Sequence, residues 1–343
     1  MIDYIIGLLT LTTITGIIVM GLNVRWGWAG EFDLSYYSFV AIGAYITAVL
    51  VGPPSGGPNP LVQPPAGWIL GLHWPFIPSV IVSVLATGAI SAVLGAVALR
   101  KLRGDYFAIT TVAFTLIVIT VFSQDFQLFN GFLGVFSVPQ PFYDFLGQPD
   151  FFTYSLIFLG LTIGLLVVVY VVLEMLFNSP FGLTLRSIRE DEQAAAAFGR
   201  NVYLGKLKAY VLGGMVAALG GSLYAVYLSS WNPSAWSAVE GFLLFAGIFL
   251  GGQANTRGVI LGVFIVTILI PEGTRWLPEF QHRPDLYPAL RNIVSGVLIL
   301  LVLRFRPQGL LPERHMQTGG GPRGPFSWRL PSVRLPRSGG AKP

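Results

Sequence analysis

The stretch from Leu34 to Leu99 contains no Asp, Glu, Lys or Arg, and this constrains the fold more than any other feature of the chain. Only 11% of the 343 residues are charged, against about 25% in soluble domains. So few charges cannot cover a water-exposed surface, so most of the outer surface must face lipid. Helices satisfy their backbone polar groups within each segment. The sequence therefore predicts an all-α, polytopic membrane bundle.

Nine apolar segments are candidate membrane-spanning helices, because a bilayer core of ~30 Å needs about 20 apolar helical residues. They are 4–22, 33–51, 78–99, 106–124, 152–176, 208–229, 236–252, 257–271 and 287–303. The segment 236–252 is short and carries Glu240, which favours a re-entrant element. If it crosses the membrane, however, the basic residues after 303 lie on the same side of the membrane as the other basic loops. We therefore expect about nine crossings, within a range of eight to ten.

The basic residues predict the orientation. The connections 53–76 and 125–151 contain no Lys or Arg, whereas 100–105 and 177–208 are rich in both. By the positive-inside rule the second pair is cytoplasmic, which puts the N-terminus outside and the C-terminus inside. We expect a transmembrane domain over 1–312. We expect a disordered, basic cytoplasmic tail over 313–343, which is rich in Gly, Pro and Arg.

One cytoplasmic loop has an unusual pattern. Three acidic residues, Glu190, Asp191 and Glu192, precede four alanines, and Gly199 follows. Acids suit the start of a helix, alanine its middle and glycine its end. The pattern predicts a short exposed helix. It could lie on the membrane surface, or it could be a rigid lever moved by a soluble motor, and the pattern alone favours neither.

The same loop resembles the coupling segment of ABC importer permeases, specifically the LivM-like branched-chain amino-acid permeases. That family reads roughly L-x-A-I-R-E-x-E-x-A-A-x-x-x-G-x-N, and residues 185–201 match it at Leu185, Ile188, Arg189, Glu190, Glu192, Ala194, Ala195, Gly199 and Asn201. Segments 102–111, 251–258 and 305–311 match further family motifs in the same order. The resemblance covers about residues 20–312. It implies a permease domain in a bacterial inner membrane.

The resemblance also implies a set of partners. These are ATP-binding cassette subunits, a second homologous permease, an extracytoplasmic solute-binding protein and membrane lipid, with no nucleic acid. ATP and Mg would be bound by the partner ATPase, so no cofactor is expected on this chain. The residues expected to couple to the ATPase are Arg186, Arg189, Glu190, Asp191, Glu192, Ala194, Ala195 and Gly199.

Charged residues within membrane segments are costly and are functional candidates by default. Glu31, Asp33 and Glu240 fall in or beside apolar segments. The departures from the family pattern at Ser35, Tyr36 and Asn130 complete the set expected to line the translocation path. The alternatives are that Glu31 and Asp33 lie in interfacial water, and that Glu240 fixes helix packing.

Several classes of site are disfavoured. The chain has no cysteine, and its three histidines are scattered, so no metal site is expected. No phosphate-binding loop and no hydrolase triad motif occurs, so no catalytic residues are expected. An ion-coupled secondary transporter or channel, with Glu31 and Asp33 in a proton relay, remains the alternative to an ABC permease. An integral-membrane enzyme is the least supported class. The substrate stays open among amino acids, urea, amides and other small solutes.

Overall fold

The computed structural model describes residues 2–52, 71–101, 104–125, 131–136, 138–143, 145–233 and 238–275, and then 293–294, 296–297, 300–302, 304–306 and 308–313. The compact unit ends at Glu313, one residue beyond the predicted domain boundary. Of the predicted tail 313–343, residues 314–343 lie outside the described residues.

Helices dominate the described part of the chain. They are α1 Ile2–Asn23, α2 Tyr36–Val51, α3 Phe76–Lys101, α4 Gly104–Gln124, α5 Phe151–Phe177, α6 Pro180–Glu190, α7 Glu192–Ala197, α8 Val202–Leu228, α9 Ala238–Gly251, α10 Thr256–Phe264 and α11 Ile270–Arg275. π-helical turns continue α1 over Val24–Trp28 and join α10 to α11 over Ile265–Leu269.

Six of these helical segments are long and apolar enough to cross a membrane within the described ranges: 2–28, 76–100, 106–124, 151–177, 202–228 and 256–273. The predicted segments 33–51 and 236–252 are helical as well, but α2 has 16 residues and α9 has 14. Of the predicted segment 287–303, most lies outside the described residues. A helical membrane bundle is supported, whereas the count of nine crossings stays a prediction.

The centre of the bundle is formed by α1, α2 and α8, whose facing side chains are buried. Small residues let α8 approach its neighbours. A Cβ added at Gly43 would lie 2.4 Å from the Cα of Ala218, and one at Gly221 would lie 2.1 Å from the carbonyl oxygen of Val40. Such backbone contact is the usual reason for glycine in membrane helices. The glycine-rich sequence of α8 therefore makes it the central helix.

The outer helices show the surface expected for contact with lipid. Large apolar side chains on α3 and α5, such as Leu85, Val93, Val97 and Val168, are more than half exposed. A monomer in water rarely exposes contiguous apolar surface on this scale. These faces are suited to hydrocarbon.

One feature departs from the all-α prediction. The segment Val135–Phe136 pairs antiparallel with Ser230–Trp231, which follows α8 directly. Gly134 allows the close approach, since a Cβ there would lie 2.0 Å from the carbonyl oxygen of Trp231. This ribbon ties the loop before α5 to the end of α8, and apolar periodicity gives no signal for it.

Candidate functional site

The predicted coupling loop forms two short helices. Ser179 caps α6, with Pro180 at its first position. The Oδ1 atom of Asp191 accepts hydrogen bonds from the backbone N–H groups of Gln193 and Ala194, at 2.8 and 3.0 Å, and caps α7. The chain therefore turns between the two helices at Asp191. Together, α6 and α7 are called the coupling segment.

This turn corrects the expected helix boundaries. Glu190 ends α6 and does not begin the alanine helix, while Glu192 lies in the first turn of α7. An aspartate N-cap is preferred because its short side chain reaches the free N–H groups of the first turn. Gly199 has a φ of +77°, the left-handed conformation that often follows a helix end. The predicted stop of the helix at glycine agrees with this geometry.

The surface of α7 is almost entirely exposed. Ala195 is buried against the protein, and Ala194 is exposed. Phe198, directly after the helix, is 87% exposed. An aromatic side chain in that position contributes nothing to the core of this chain. The sequence-based site prediction omitted Phe198, although an isolated phenylalanine between alanines and glycine in a polar loop is an available signal.

The two arginines of α6 are mostly buried against the protein, with side chains 12% and 20% exposed. Arg189 donates from Nη1 to the carbonyl oxygen of Gly27, and its Nη2 lies 2.6 Å from Oε2 of Glu313. Arg186 pairs with the other oxygen of Glu313, Nε to Oε1, at 3.1 Å. Its guanidinium also lies 4.0 Å from the centre of the Phe177 ring. These two arginines hold α6 in place.

Residues 308–313, called the C-terminal segment, bind the turn between α9 and α10. The N–H groups of Leu310 and Leu311 donate to the carbonyl oxygens of Leu250 and Gly251, at 2.9 and 3.0 Å. The Asn255 side-chain amide donates to the carbonyl oxygen of Pro312 at 3.0 Å. Through Glu313 the same segment reaches α6. It therefore connects α9 and α10 to the coupling segment.

A fully buried ion pair lies where α1 leads into α2. Arg25 Nη1 bonds to Asp33 Oδ2, and both side chains are 0% exposed. Arg25 also donates from Nε to the carbonyl oxygen of Tyr210 at 2.9 Å, and from Nη2 to Ser91 Oγ at 3.0 Å. The guanidinium lies 3.8 Å from the centre of the Tyr210 ring. Each nitrogen of the Arg25 guanidinium thus has a partner, as a buried charge requires.

Glycines in α8 create the space for this arginine. A Cβ at Gly213 would lie 2.7 Å from Arg25 Cγ, and one at Gly214 would lie 2.7 Å from Arg25 Nη2. The carboxylate of Asp33 is completed by Ser35, whose N–H and Oγ donate to Oδ1 at 2.8 and 2.5 Å. The name buried cluster is used for Arg25, Asp33, Ser35, Ser91 and Tyr210.

A second group of charges lies beside the first and is partly exposed. Lys206 Nζ on α8 lies 2.5 Å from Glu31 Oε1, and it also pairs with Glu192 on α7. The side chains of Lys206 and Glu31 are 12% and 10% exposed, whereas that of Glu192 is 56% exposed. Burial raises the pKa of Glu31 above its ordinary value, and the charge of Lys206 opposes the shift. The name surface bridge is used for these three residues.

Comparison with known proteins identifies the family of this chain. The family model described as "Branched-chain amino acid transport system / permease component" matches residues 4–303. The chain belongs to this permease family.

Three curated relatives show the spread of the family. The high-affinity branched-chain amino acid permease LivM of Escherichia coli is 30% identical over 328 residues, or 90% of this chain and 70% of the relative. The probable LivM of Methanocaldococcus jannaschii is 29% identical over 69% of this chain and 70% of the relative. The nucleoside ABC transporter permease NupC of Lactococcus lactis is 32% identical over 62% of this chain and 69% of the relative. No solved structure matches the chain significantly.

Within this permease, the predicted path residues occupy different environments. Asp33 and Ser35 belong to the buried cluster, and Glu31 to the surface bridge. Tyr36 is 1% exposed, and its hydroxyl donates to the carbonyl oxygen of Ile18 at 2.7 Å. Asn130 and the side chain of Glu240 lie outside the described residues, although the backbone of Glu240 belongs to α9. Their role in a path stays a prediction.

An apolar cavity of about 180 Å³ lies next to Tyr36, between α1, α2, α4 and α9. Leu34, Tyr37, Leu116 and Phe245 are among the residues that line it. Its wall presents few polar atoms, so it offers little to hold a zwitterion. Among the described residues, no group of three His, Asp or Glu side chains could hold a metal ion.

Besides Phe198, five members of these sites were not among the predicted site residues: Arg25, Ser91, Lys206, Tyr210 and Glu313. In the sequence, Arg25 is a single basic residue just after the first predicted membrane segment. An arginine within two turns of an acid, opposite a helix with paired glycines, is a signal that could have indicated it. For Lys206 and Glu313 the sequence offers no such signal, because their partners are far away along the chain.

Proposed function

We infer that this permease is the membrane-spanning subunit of an ATP-driven importer, and that its coupling segment docks on a partner that hydrolyses ATP. The observation that carries this proposal is the geometry of α7. It is an exposed helix, capped at Asp191 and ended at Gly199, and Phe198 beside it is 87% exposed. The family match makes such a partner the expected occupant.

The anchoring of the coupling segment supports the same function. An element that receives force must not deform, and α6 is fixed by the contacts of Arg186 and Arg189 with Glu313 and Gly27. Ala195 packs α7 against the protein and leaves its other face free. A helix that rested on lipid would present a broad apolar face, whereas the exposed residues around Phe198 are alanines and polar residues.

Phe198 provides the sharpest test of docking. Truncating an aromatic anchor at a protein interface costs about 2 kcal/mol or more, which is roughly thirtyfold in affinity. Phe198→Ala should weaken the association of the purified permease with its co-expressed ATP-binding subunits, measured by co-purification and by titration. Phe145 is the matched control, because it is 89% exposed and lies before α5, whereas Phe198 lies after it. Equal loss in both variants, or loss in neither, would contradict the proposal.

The orientation is part of the proposal. The helix α5 has 27 residues and is about 40 Å long, more than the ~30 Å hydrocarbon core. We propose that residues before α5 lie outside, that the coupling segment is cytoplasmic, and that the membrane is the bacterial inner membrane. The chain has no cysteine, so single cysteines report cleanly. An impermeant thiol reagent should label Gln140→Cys in intact cells and leave Glu190→Cys unlabelled.

We propose a small polar solute as cargo, with branched-chain amino acids first. The basis is the description of the family and of the two LivM relatives, while NupC makes nucleosides the competing class. Specificity would come largely from a separate binding protein. Uptake of labelled leucine and labelled guanosine by vesicles with the co-reconstituted partners separates these substrates. Uptake of either by the permease alone would favour an ion-coupled carrier or channel instead.

A further inference from the structure

The segment from Arg25 to Asp33, called the 25–33 segment, contacts the coupling segment through residues 27–31 and α9 through Trp26 and Phe32. It joins α1 to the start of α2, so its position affects both helices. Hydrogen bonds and ion pairs join it to the coupling segment, whereas aromatic rings join it to α9. This arrangement suggests a route by which movement outside the bundle reaches its interior.

Contacts with the coupling segment occur at three places. Arg189 on α6 donates to the carbonyl oxygen of Gly27. Gly30, with a φ of +77°, packs on the same arginine, and a Cβ there would lie 3.0 Å from Arg189 Cγ. The third contact is the surface bridge, in which Lys206 joins Glu31 to Glu192 of α7. A shift of α6 and α7 is thus felt directly at residues 27–31.

Aromatic rings connect the 25–33 segment to α9. The Phe32 ring lies 5.1 Å from that of Phe245, centre to centre, and the Trp26 ring lies 6.4 Å from both Phe245 and Phe249. Trp26 and Phe32 also pack edge to face at 5.0 Å. Phe245 lines the apolar cavity beside Tyr36. Movement of the segment must therefore repack the wall of this cavity.

The base of the segment is rigid, because the buried pair of Arg25 and Asp33 closes it and Tyr210 holds it to α8. Because this pair joins the first and last residues of the segment, the residues between them move together. The bridge through Lys206 is its adjustable contact, since Glu192 is half exposed and Glu31 is almost buried. Coupling between distant sites is carried by chains of packed side chains and ion-pair networks of this kind.

We propose that the 25–33 segment transmits movement of the coupling segment to α9 and the apolar cavity, with Lys206 as the positioning residue that joins α7 to it. This inference rests on the proposed docking of α7 on an ATP-hydrolysing partner. Lys206 acts through Glu31 and Glu192 and contacts neither ATP nor cargo. Its removal should leave docking intact and interrupt the transfer of movement from α7 to the 25–33 segment and α9.

The test uses the permease in nanodiscs with its ATP-binding subunits, one form of which binds ATP without hydrolysing it. Hydrogen–deuterium exchange is compared with and without ATP for peptides covering α7, the 25–33 segment and α9. In the native chain all three should change on ATP binding. In Lys206→Met the change in α7 should persist, whereas the changes in the 25–33 segment and α9 should be lost. Lys206→Arg should restore them.

Lys208→Met is the matched control, because Lys208 lies on the same helix, two residues away from Lys206, and takes no part in the surface bridge. It should behave as the native chain. If Lys206→Met does not fold, Glu192→Gln replaces it, since that half-exposed carboxylate can be changed without leaving a buried group unpaired. Persistent change in the 25–33 segment of the bridge variants would overturn the inference. No change in α7 of the native complex would instead overturn the proposed function.

Discussion

The buried cluster and the surface bridge contain the same kind of bond in different surroundings. Arg25 and Asp33 are both 0% exposed, and further hydrogen bonds engage the other polar atoms of their side chains. Lys206, Glu31 and Glu192 range from 10% to 56% exposed, and one ammonium serves two carboxylates. The two groups are only two residues apart along the chain, at Glu31 and Asp33.

The difference lies in the cost of breaking each pair. A buried charge that loses its partner cannot be solvated, so it is strongly destabilising. In the surface bridge, the half-exposed Glu192 can exchange Lys206 for water at little cost. The buried cluster is thus suited to fixing a geometry, and the surface bridge is suited to changing during a transport cycle. Charge in a membrane protein does not by itself indicate which of these roles a residue has.

The largest expected effect comes from Asp33→Ala. This variant leaves Arg25 buried without its carboxylate, which costs about 3–5 kcal/mol. We expect a loss of folded protein, measured as membrane yield and as the thermal unfolding midpoint in detergent. The variant Arg25→Met/Asp33→Leu removes both charges and should recover part of that stability. A midpoint unchanged by Asp33→Ala would show that the cluster does not fix the geometry.

A smaller effect, with a defined pH dependence, is expected from Glu31→Gln. The groups facing Glu31 are Lys206, Glu192 and Asp33, and burial raises its pKa above the ordinary 4.5. A raised folded-state pKa gives stability that is present below the unfolded pKa and is lost as pH rises through the folded pKa. The unfolding midpoint of Glu31→Gln should therefore rise relative to the native midpoint as the pH increases above 4.5. The opposite trend would mean that pairing with Lys206 outweighs burial.

The smallest effect is expected from Glu192→Gln, because the Glu192 side chain is more than half exposed. Exposed pairs contribute about 0–1 kcal/mol. The difference in unfolding midpoint from the native chain should be small at low salt and should vanish near 1 M, where the screening length is about 3 Å. The deficit of Asp33→Ala should be insensitive to salt. Equal salt dependence of both variants would remove the distinction between the two groups.

Much of the helical framework was predictable, because apolar runs long enough to span a bilayer have few alternatives. Eight of the predicted segments lie almost wholly within the described residues, and each of them contains a helix of the structure. The ninth, 287–303, lies mostly outside the described residues. The break at Asp191 was missed because three consecutive acids each suit a helix start. The preference of aspartate over glutamate at an N-cap could have decided it.

The candidate site was less predictable. Glu31 and Asp33 stand out in the sequence as charges beside apolar segments, but their partners depend on packing. Lys206 is distant along the chain, and only the approach of α8 brings it to Glu31. Likewise, the sequence Phe305–Leu311 matched a family motif without indicating that its end binds the α9–α10 turn. Patterns along the chain reveal helices, whereas contacts between helices depend on shapes that no local pattern specifies.

The C-terminal segment has a consequence for the order in which the protein is made. Glu313, which pairs with Arg186 and Arg189, is translated 124 residues after Arg189. During synthesis, α6 is therefore made long before its carboxylate partner exists. The coupling segment can reach its final position only when nearly the whole bundle has been inserted. A ribosome that stops before this residue leaves the coupling segment without that anchor, so a complete surface for assembly exists only once Glu313 has been made.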